Sequence, residues 1–128
     1  MVLRVVLAGG GTAGHVNPLL ATADVLEGRG HKIEVLGTKE GLESTLVPAA
    51  GLKLHTLPKV PIPRRPSKDL LTVPARLKSA TKIAEEVLGG ADVLVGFGGY
   101  VSAPAYIAAS RLGVPFVVQE QNVRPGWA

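Results

Sequence analysis

Cysteine is absent from the 128 residues, which excludes a disulfide framework and any thiolate metal site and is compatible with a reducing compartment. Aromatic residues make up 4% of the chain, too few for the stacking platforms that single-stranded nucleic acid requires. No nucleic acid partner is therefore expected. The three histidines, His15, His31 and His55, are too scattered for a recognisable metal motif, and no Asp-x-Asp pair occurs, so neither a metal nor another cofactor is expected. Long hydrophobic runs are missing too. The longest are of strand length, against the roughly 20 residues of a membrane span. The opening stretch lacks the cationic start and apolar length of a signal peptide, which makes a cytoplasmic location the expectation. Acidic residues are the scarcer charge, 10 against 14 basic ones, for a formal net charge of +4. That balance suggests an anionic partner without choosing among nucleotide, nucleic acid and lipid headgroup.

What is present is an alternation. Residues 3–7 (LRVVL) form a short β-branched run that ends in glycines, and residues 19–26 read as an apolar helix closing at Gly28-Arg29-Gly30. The pattern then repeats, with strands at 32–36, 53–57, 92–95 and 115–118 and helices at 41–50, 69–88 and 102–112. Strands that alternate with helices predict a parallel sheet, and several of these strands are apolar on both faces, as expected when helices cover both sides. The fold expected is one α/β domain, a Rossmann-like doubly wound parallel sheet.

Ligands of such folds sit beyond the carboxyl ends of the strands, where three stretches stand out. Residues 9–15 read GGGTAGH, residues 96–100 GFGGY and residues 119–122 QEQN. Glycines let the backbone approach an oxygen-rich ligand, and the start of the following helix offers unpaired N–H groups to phosphate. The amide and carboxylate groups of the third stretch suit hydroxyl recognition. A glycine after a strand can also make nothing more than a tight turn, although two such loops at one sheet edge weigh against coincidence. The first is neither a dinucleotide fingerprint, because residues 36–38 (LGT) place no acid at the end of the second strand, nor a phosphate-binding P-loop, because no lysine follows its last glycine. His15 has two open readings, a satisfied histidine at a helix start or a base working near neutral pH.

The stretches GGGTAGHVNP, GFGGYVSAPAYIAA, QEQNVRPG and VLGTKEGLESTLVPAAG together resemble the MurG family, bacterial transferases that add N-acetylglucosamine to lipid I to make lipid II for peptidoglycan. The likeness runs through essentially the whole chain, in order. Two positions depart from the family pattern. Ala13 stands where many members have glycine, tolerable if its φ is negative, and Gln119 stands where many have histidine, which removes any titratable role there.

This resemblance implies the N-terminal half of a GT-B glycosyltransferase. Residues 1–128 correspond to its acceptor-binding domain, expected to stop slightly short of the domain's usual end, and the C-terminal donor-binding domain is not in this sequence. It further implies that Gly10, Gly11, Thr12, Ala13, Gly14, Gly98 and Gly99 face the acceptor diphosphate. Thr12, His15, Tyr100, Asn122 and Glu120 are implied to approach the donor sugar of UDP-N-acetylglucosamine or the reacting centre. The reaction implied is an inverting displacement at the anomeric carbon by the acceptor 4-hydroxyl, with His15 as candidate catalytic base or, alternatively, as a group that positions the sugar.

One stretch, residues 57–82, is lopsided in charge and rich in proline until about Asp69, which predicts an extended loop before a helix. Arg64, Arg65 and Lys68 with Leu70 and Leu71 read as a surface for an anionic bilayer, at the cytoplasmic face of the bacterial membrane, where each basic residue contributes about 1 kcal/mol. The plainer reading is a solvated helix face. A rival of another class is a non-catalytic membrane-associated subunit that recruits a separate nucleotide-binding chain.

Overall fold

The computed structural model describes residues 1–59, 71–99 and 101–119. Five parallel strands, β1 (Arg4–Ala8), β2 (Lys32–Gly37), β3 (Lys53–Thr56), β4 (Val93–Gly96) and β5 (Phe116–Val118), lie in the order β3-β2-β1-β4-β5. Among the described residues four helices connect them: α1 (Ala13–Gly28), α2 (Glu43–Ala49), α3 (Val73–Leu88) and α4 (Ser102–Leu112). The expected doubly wound sheet is what forms.

The alternation of side chains along β1 explains the layering, since successive residues point to opposite faces of a strand. Val5 and Leu7 pack with Leu19 and Ala23 of α1 and Val47 of α2. Val6 and Ala8 face the other way, onto Ala80, Ala84 and Leu88 of α3 and Ala105, Ala108 and Ala109 of α4. The alanine rows of α3 and α4 let these two helices approach the sheet and each other closely. A strand buried on both faces must be apolar throughout, and the four residues Val5–Ala8 are all buried.

Element ends differ from the sequence reading in two informative places. The first helix begins at Ala13, six residues before the expected 19, because Thr12 in extended geometry (φ −120°, ψ 161°) turns its carbonyl onto the N–H groups of His15 and Val16. Thr12 makes no side-chain capping bond, which typically costs about 1 kcal/mol. Burial of Val16 and Leu19, each contributing about 1.5–3 kcal/mol, outweighs that loss and frees the start of α1 for other work. The long third helix begins at Val73 rather than 69, with Pro74 in its first turn, where a missing N–H costs nothing.

At the amino-terminal edge of the sheet, Arg4 donates to the carbonyls of Val87 (2.6 Å) and Gly89 (2.9 Å), closing the end of α3. Its Nε also donates to Glu34 at 2.6 Å, and His55 Nε2 lies 2.7 Å from the other oxygen of that carboxylate. Partial burial pushes the Glu34 pKa up, but the hydrogen bonds from Arg4 and His55 and their charges outweigh it and hold the group below its ordinary value of 4.5. His31 is structural as well, its Nδ1 accepting the Leu3 N–H at 3.1 Å. Two of the three histidines are thus occupied in holding the sheet, and only His15 remains at the carboxyl ends.

Candidate active site

Strand order reverses between β1 and β4, because the chain leaves β1 toward β2 on one side and returns as β4 on the other. The loops after these two strands therefore border one crevice, which is where doubly wound sheets bind ligands. Ladder bonds carry the pairing into both loops. The Phe97 N–H donates to the Ala8 carbonyl at 2.8 Å, and the Gly9 N–H to the Leu36 carbonyl at 3.2 Å.

Beyond that point the loops touch. Gly99 has φ +95°, and a Cβ built there would stand 2.6 Å from the Gly10 carbonyl oxygen and 3.2 Å from its nitrogen. Only glycine meets both demands. Gly98, with φ +101°, leaves room for the edge of the His15 ring, since a Cβ there would come within 2.9 Å of Nε2 and Cδ2. The two glycine loops and the imidazole form one unit.

His15 lies on the first turn of α1, and the bonds it makes assign its tautomer. Nδ1 is 2.9 Å from the Gly10 carbonyl oxygen, which can only accept, so Nδ1 carries the proton and donates it. The Thr12 hydroxyl stands 3.3 Å from the same nitrogen. In the neutral ring Nε2 then keeps its lone pair, toward the Gly98 side, the arrangement that a proton acceptor needs.

Sequence reasoning missed one residue of this region. Glu43, the first residue of α2, is fully buried, and its carboxylate turns back beneath the first glycine turn. Oε1 accepts the Gly11 N–H at 3.0 Å, while Oε2 accepts the Thr38 N–H at 2.9 Å and the Thr38 hydroxyl at 3.2 Å. Side chains at Gly10, Gly37 or Gly41 would overlap this carboxylate. The sequence reading sought an acid directly at the end of β2 and found Leu36-Gly37-Thr38. The acid comes five residues later and folds back to that place. Glycines at 37 and 41 shortly before an acid that opens a helix were the available signal.

The second loop has its own anchor, for the Gly98 N–H donates to the buried Ser102 hydroxyl at 3.1 Å. A cavity of about 110 Å³ opens between the first glycine turn and the β2–α2 connection, lined by Gly10, Gly11, Thr38, Glu40, Gly41, Glu43, Lys59 and Val101. Gly11, Thr12, Ala13 and Gly14 are exposed, whereas Gly10 is buried. Ala13, as the first residue of α1, has no positive φ, so the departure at that position is accommodated as expected. The Gln119 N–H donates to the Gly96 carbonyl at 2.8 Å, prolonging β5 beside β4 toward the same edge. Tyr100, Glu120 and Asn122 lie outside the described residues, as do Arg64, Arg65, Lys68 and Leu70. Leu71 is described and is 82% exposed. Among the described residues no group of three or more histidine, aspartate or glutamate side chains is placed to hold a metal ion, and no helix is long and apolar enough to cross a membrane.

Comparison with known proteins adds to this geometry. The model of the glycosyltransferase family 28 N-terminal domain matches residues 5–128. A UDP-N-acetylglucosamine–N-acetylmuramyl-(pentapeptide) pyrophosphoryl-undecaprenol N-acetylglucosamine transferase of Tropheryma whipplei is 55% identical over 127 residues, covering 98% of this chain and 36% of that protein. The protein of the same name from Streptomyces collinus is 53% identical over 130 residues, again 98% and 36%. Among solved structures, MurG of Acinetobacter baumannii superposes with a TM-score of 0.82 at 30% identity, covering 98% of this chain and 37% of that one. The chain thus spans about a third of the length of the curated relatives it matches.

Proposed function

The chain belongs to the glycosyltransferase family 28 N-terminal domain family, and from that premise we propose that it is the acceptor-binding domain of an inverting N-acetylglucosaminyltransferase. The proposed reaction moves N-acetylglucosamine from UDP-N-acetylglucosamine to the 4-hydroxyl of the muramoyl sugar of lipid I, forming lipid II. The observation that carries the reading is the contact between the two glycine loops, with the acceptor nitrogen of His15 set against Gly98.

In the proposed reaction the acceptor oxygen attacks the anomeric carbon from the face opposite the diphosphate. The bond from that carbon to the leaving oxygen breaks, and uridine diphosphate departs with the electron pair. His15 Nε2 takes the proton of the attacking hydroxyl. The acceptor diphosphate rests on the amides at the exposed start of α1, from Thr12 to Gly14, and on the Gly99 side of the second loop. Gly10, Gly11 and Gly98 shape this cradle more than they supply donors, because the Gly11 and Gly98 N–H groups are already bonded to Glu43 and Ser102. The helix dipole adds a partial positive charge there, and α1 has no acid in its first turn to oppose it. Tyr100, Glu120 and Asn122 are assigned to the donor-sugar side on family likeness, and the reading calls for no metal in this domain.

The same reading places the domain on an anionic membrane surface, where its lipid-linked acceptor lies. Support comes from the exposed Leu71 and from Arg76, Lys78 and Lys82, which are exposed along α3. Transfer of labelled N-acetylglucosamine to a lipid I analogue, measured for the chain with and without a donor-binding half, tests the function. Activity that requires both and falls by about 10²–10⁴ on His15→Ala is the expected result; full activity of that variant removes the base role, and no transfer by the paired halves removes the reading.

A further inference from the structure

The buried carboxylate of Glu43 and the imidazole of His15 grip opposite ends of a single peptide group. The N–H of Gly11 and the C=O of Gly10 belong to the same amide plane. Glu43 Oε1 accepts that N–H at 3.0 Å, and His15 Nδ1 donates to that C=O at 2.9 Å. We propose that Glu43 is a positioning residue for His15, acting through the Gly10–Gly11 peptide as a carboxylate–peptide–histidine relay. The proposal rests on the reading of His15 given above and extends it to a residue that touches no substrate.

Three observations carry it. Glu43 is fully buried at the end of a polar chain that leads to the crevice, and its remaining acceptor positions are taken by Thr38 alone among the described residues. The site is built around it, since glycine at 10, 37 and 41 leaves the space that the carboxylate fills. Gly11 has φ +92° with nothing within 4 Å of a Cβ position, so the turn is not held in its left-handed conformation by packing there. The Glu43 bond fixes the plane instead. Physically the relay has two effects. It prevents the Gly10–Gly11 plane from rotating, which keeps the carbonyl aimed at Nδ1 and the ring against Gly98. It also polarises the amide, because hydrogen bonds in series strengthen one another, and a stronger carbonyl acceptor favours the tautomer that leaves the lone pair on Nε2.

The test is Glu43→Gln in the whole enzyme that carries this domain. A glutamine must turn its NH₂ toward either Gly11 or Thr38, both of which present N–H groups; in the first orientation the plane is released, and in the second the Gly11 bond remains but loses the negative charge that strengthens it. Expected is a fall in kcat on the order of 10²-fold, the size attached to an approximately 1 Å misplacement of a catalytic group, with KM for the donor nearly unchanged. The ¹⁵N shifts of the His15 ring should move from the pattern of an Nδ1–H tautomer toward a mixture. A merely structural role would leave those shifts alone. In a His15→Ala background the Glu43→Gln effect on kcat should vanish, because the two act as one unit. Wild-type kcat and ring shifts in folded Glu43→Gln enzyme overturn the proposal, as does an equal loss in the His15→Ala background. Should Glu43→Gln fail to fold, Glu43→Asp keeps the charge but is too short to reach both Gly11 and Thr38, and is read by the same criteria. An enzyme that transfers no N-acetylglucosamine at all counts against the proposed function, while the ring shifts still decide this inference.

Discussion

Gly99→Ala separates the contact between the two loops from the ordinary demands of a glycine turn. Two penalties arise from the geometry. The first is conformational: at φ +95° a residue with a Cβ is strained by roughly 1–2 kcal/mol. The second is steric. The new methyl would stand 2.6 Å from the Gly10 carbonyl oxygen, a backbone atom that cannot rotate aside as a side chain would. Forcing extra volume into such a contact costs typically 1–3 kcal/mol, so the sum is about 2–5 kcal/mol. Gly90→Ala is the matched control. Gly90 has φ +81° with nothing within 4 Å of its Cβ position, so it carries the conformational penalty alone. Urea unfolding of the chain with each substitution should then place Gly99→Ala about 1–3 kcal/mol below Gly90→Ala. In the enzyme, transfer should fall for Gly99→Ala only. Equal destabilisation by the two substitutions, with activity retained in both, would refute the claim that the β1 and β4 loops form one cradle.

Acid should weaken the fold through Glu34. Its folded pKa lies below the ordinary value of 4.5, so its stabilising contribution is complete above that value and is lost as pH falls through the lower, folded pKa. Denaturation midpoints measured from pH 7 downward should decline over that window in the native chain and decline less in Glu34→Gln; parallel pH curves would contradict the assignment. Neutralising Arg64, Arg65 and Lys68 together should weaken binding to anionic vesicles by about 10²-fold, from roughly 1 kcal/mol for each charge. Unchanged sedimentation with such vesicles would remove the membrane contact.

The fold was legible because its physics is local and periodic. A strand such as Val5–Ala8 must be apolar on both faces to lie between helices, and each glycine break marks where the chain turns. Helix 102–112 was read to the residue, since Gly113 takes the left-handed conformation (φ +72°) that ends such helices. The start of α1 was set six residues late because only the run 19–26 carries apolar periodicity, while Pro18, the sixth residue of the helix, does not end it. A proline removes only one hydrogen bond near a helix start, and buried Val16 and Leu19 outweigh that loss. Apolar periodicity also says nothing about the stretch from Ala13 to His15, whose helical state is dictated by the Thr12 carbonyl.

The site was legible in its parts and not in its assembly. Composition and spacing single out the glycine loops and His15, because close backbone approach and proton transfer need those residue types. What joins them is the strand order, which brings residue 10 against residue 99, and a side chain arriving from a third connection. Glu43 shows why such a residue escapes a linear reading. A glutamate near a helix start is ordinarily a solvated partner of the helix dipole, and only the surrounding glycines at 10, 37 and 41 indicate that this one turns inward. Gly10 is far from the other two in the chain, and the three would be scored separately as turns. Their shared meaning is a volume, the space of one carboxylate, and that space exists only once β1 and β2 lie side by side with Ala8 opposite Leu36. Strand pairing therefore does more than support the site: the register that aligns β1 with β2 also sets the peptide on which His15 depends.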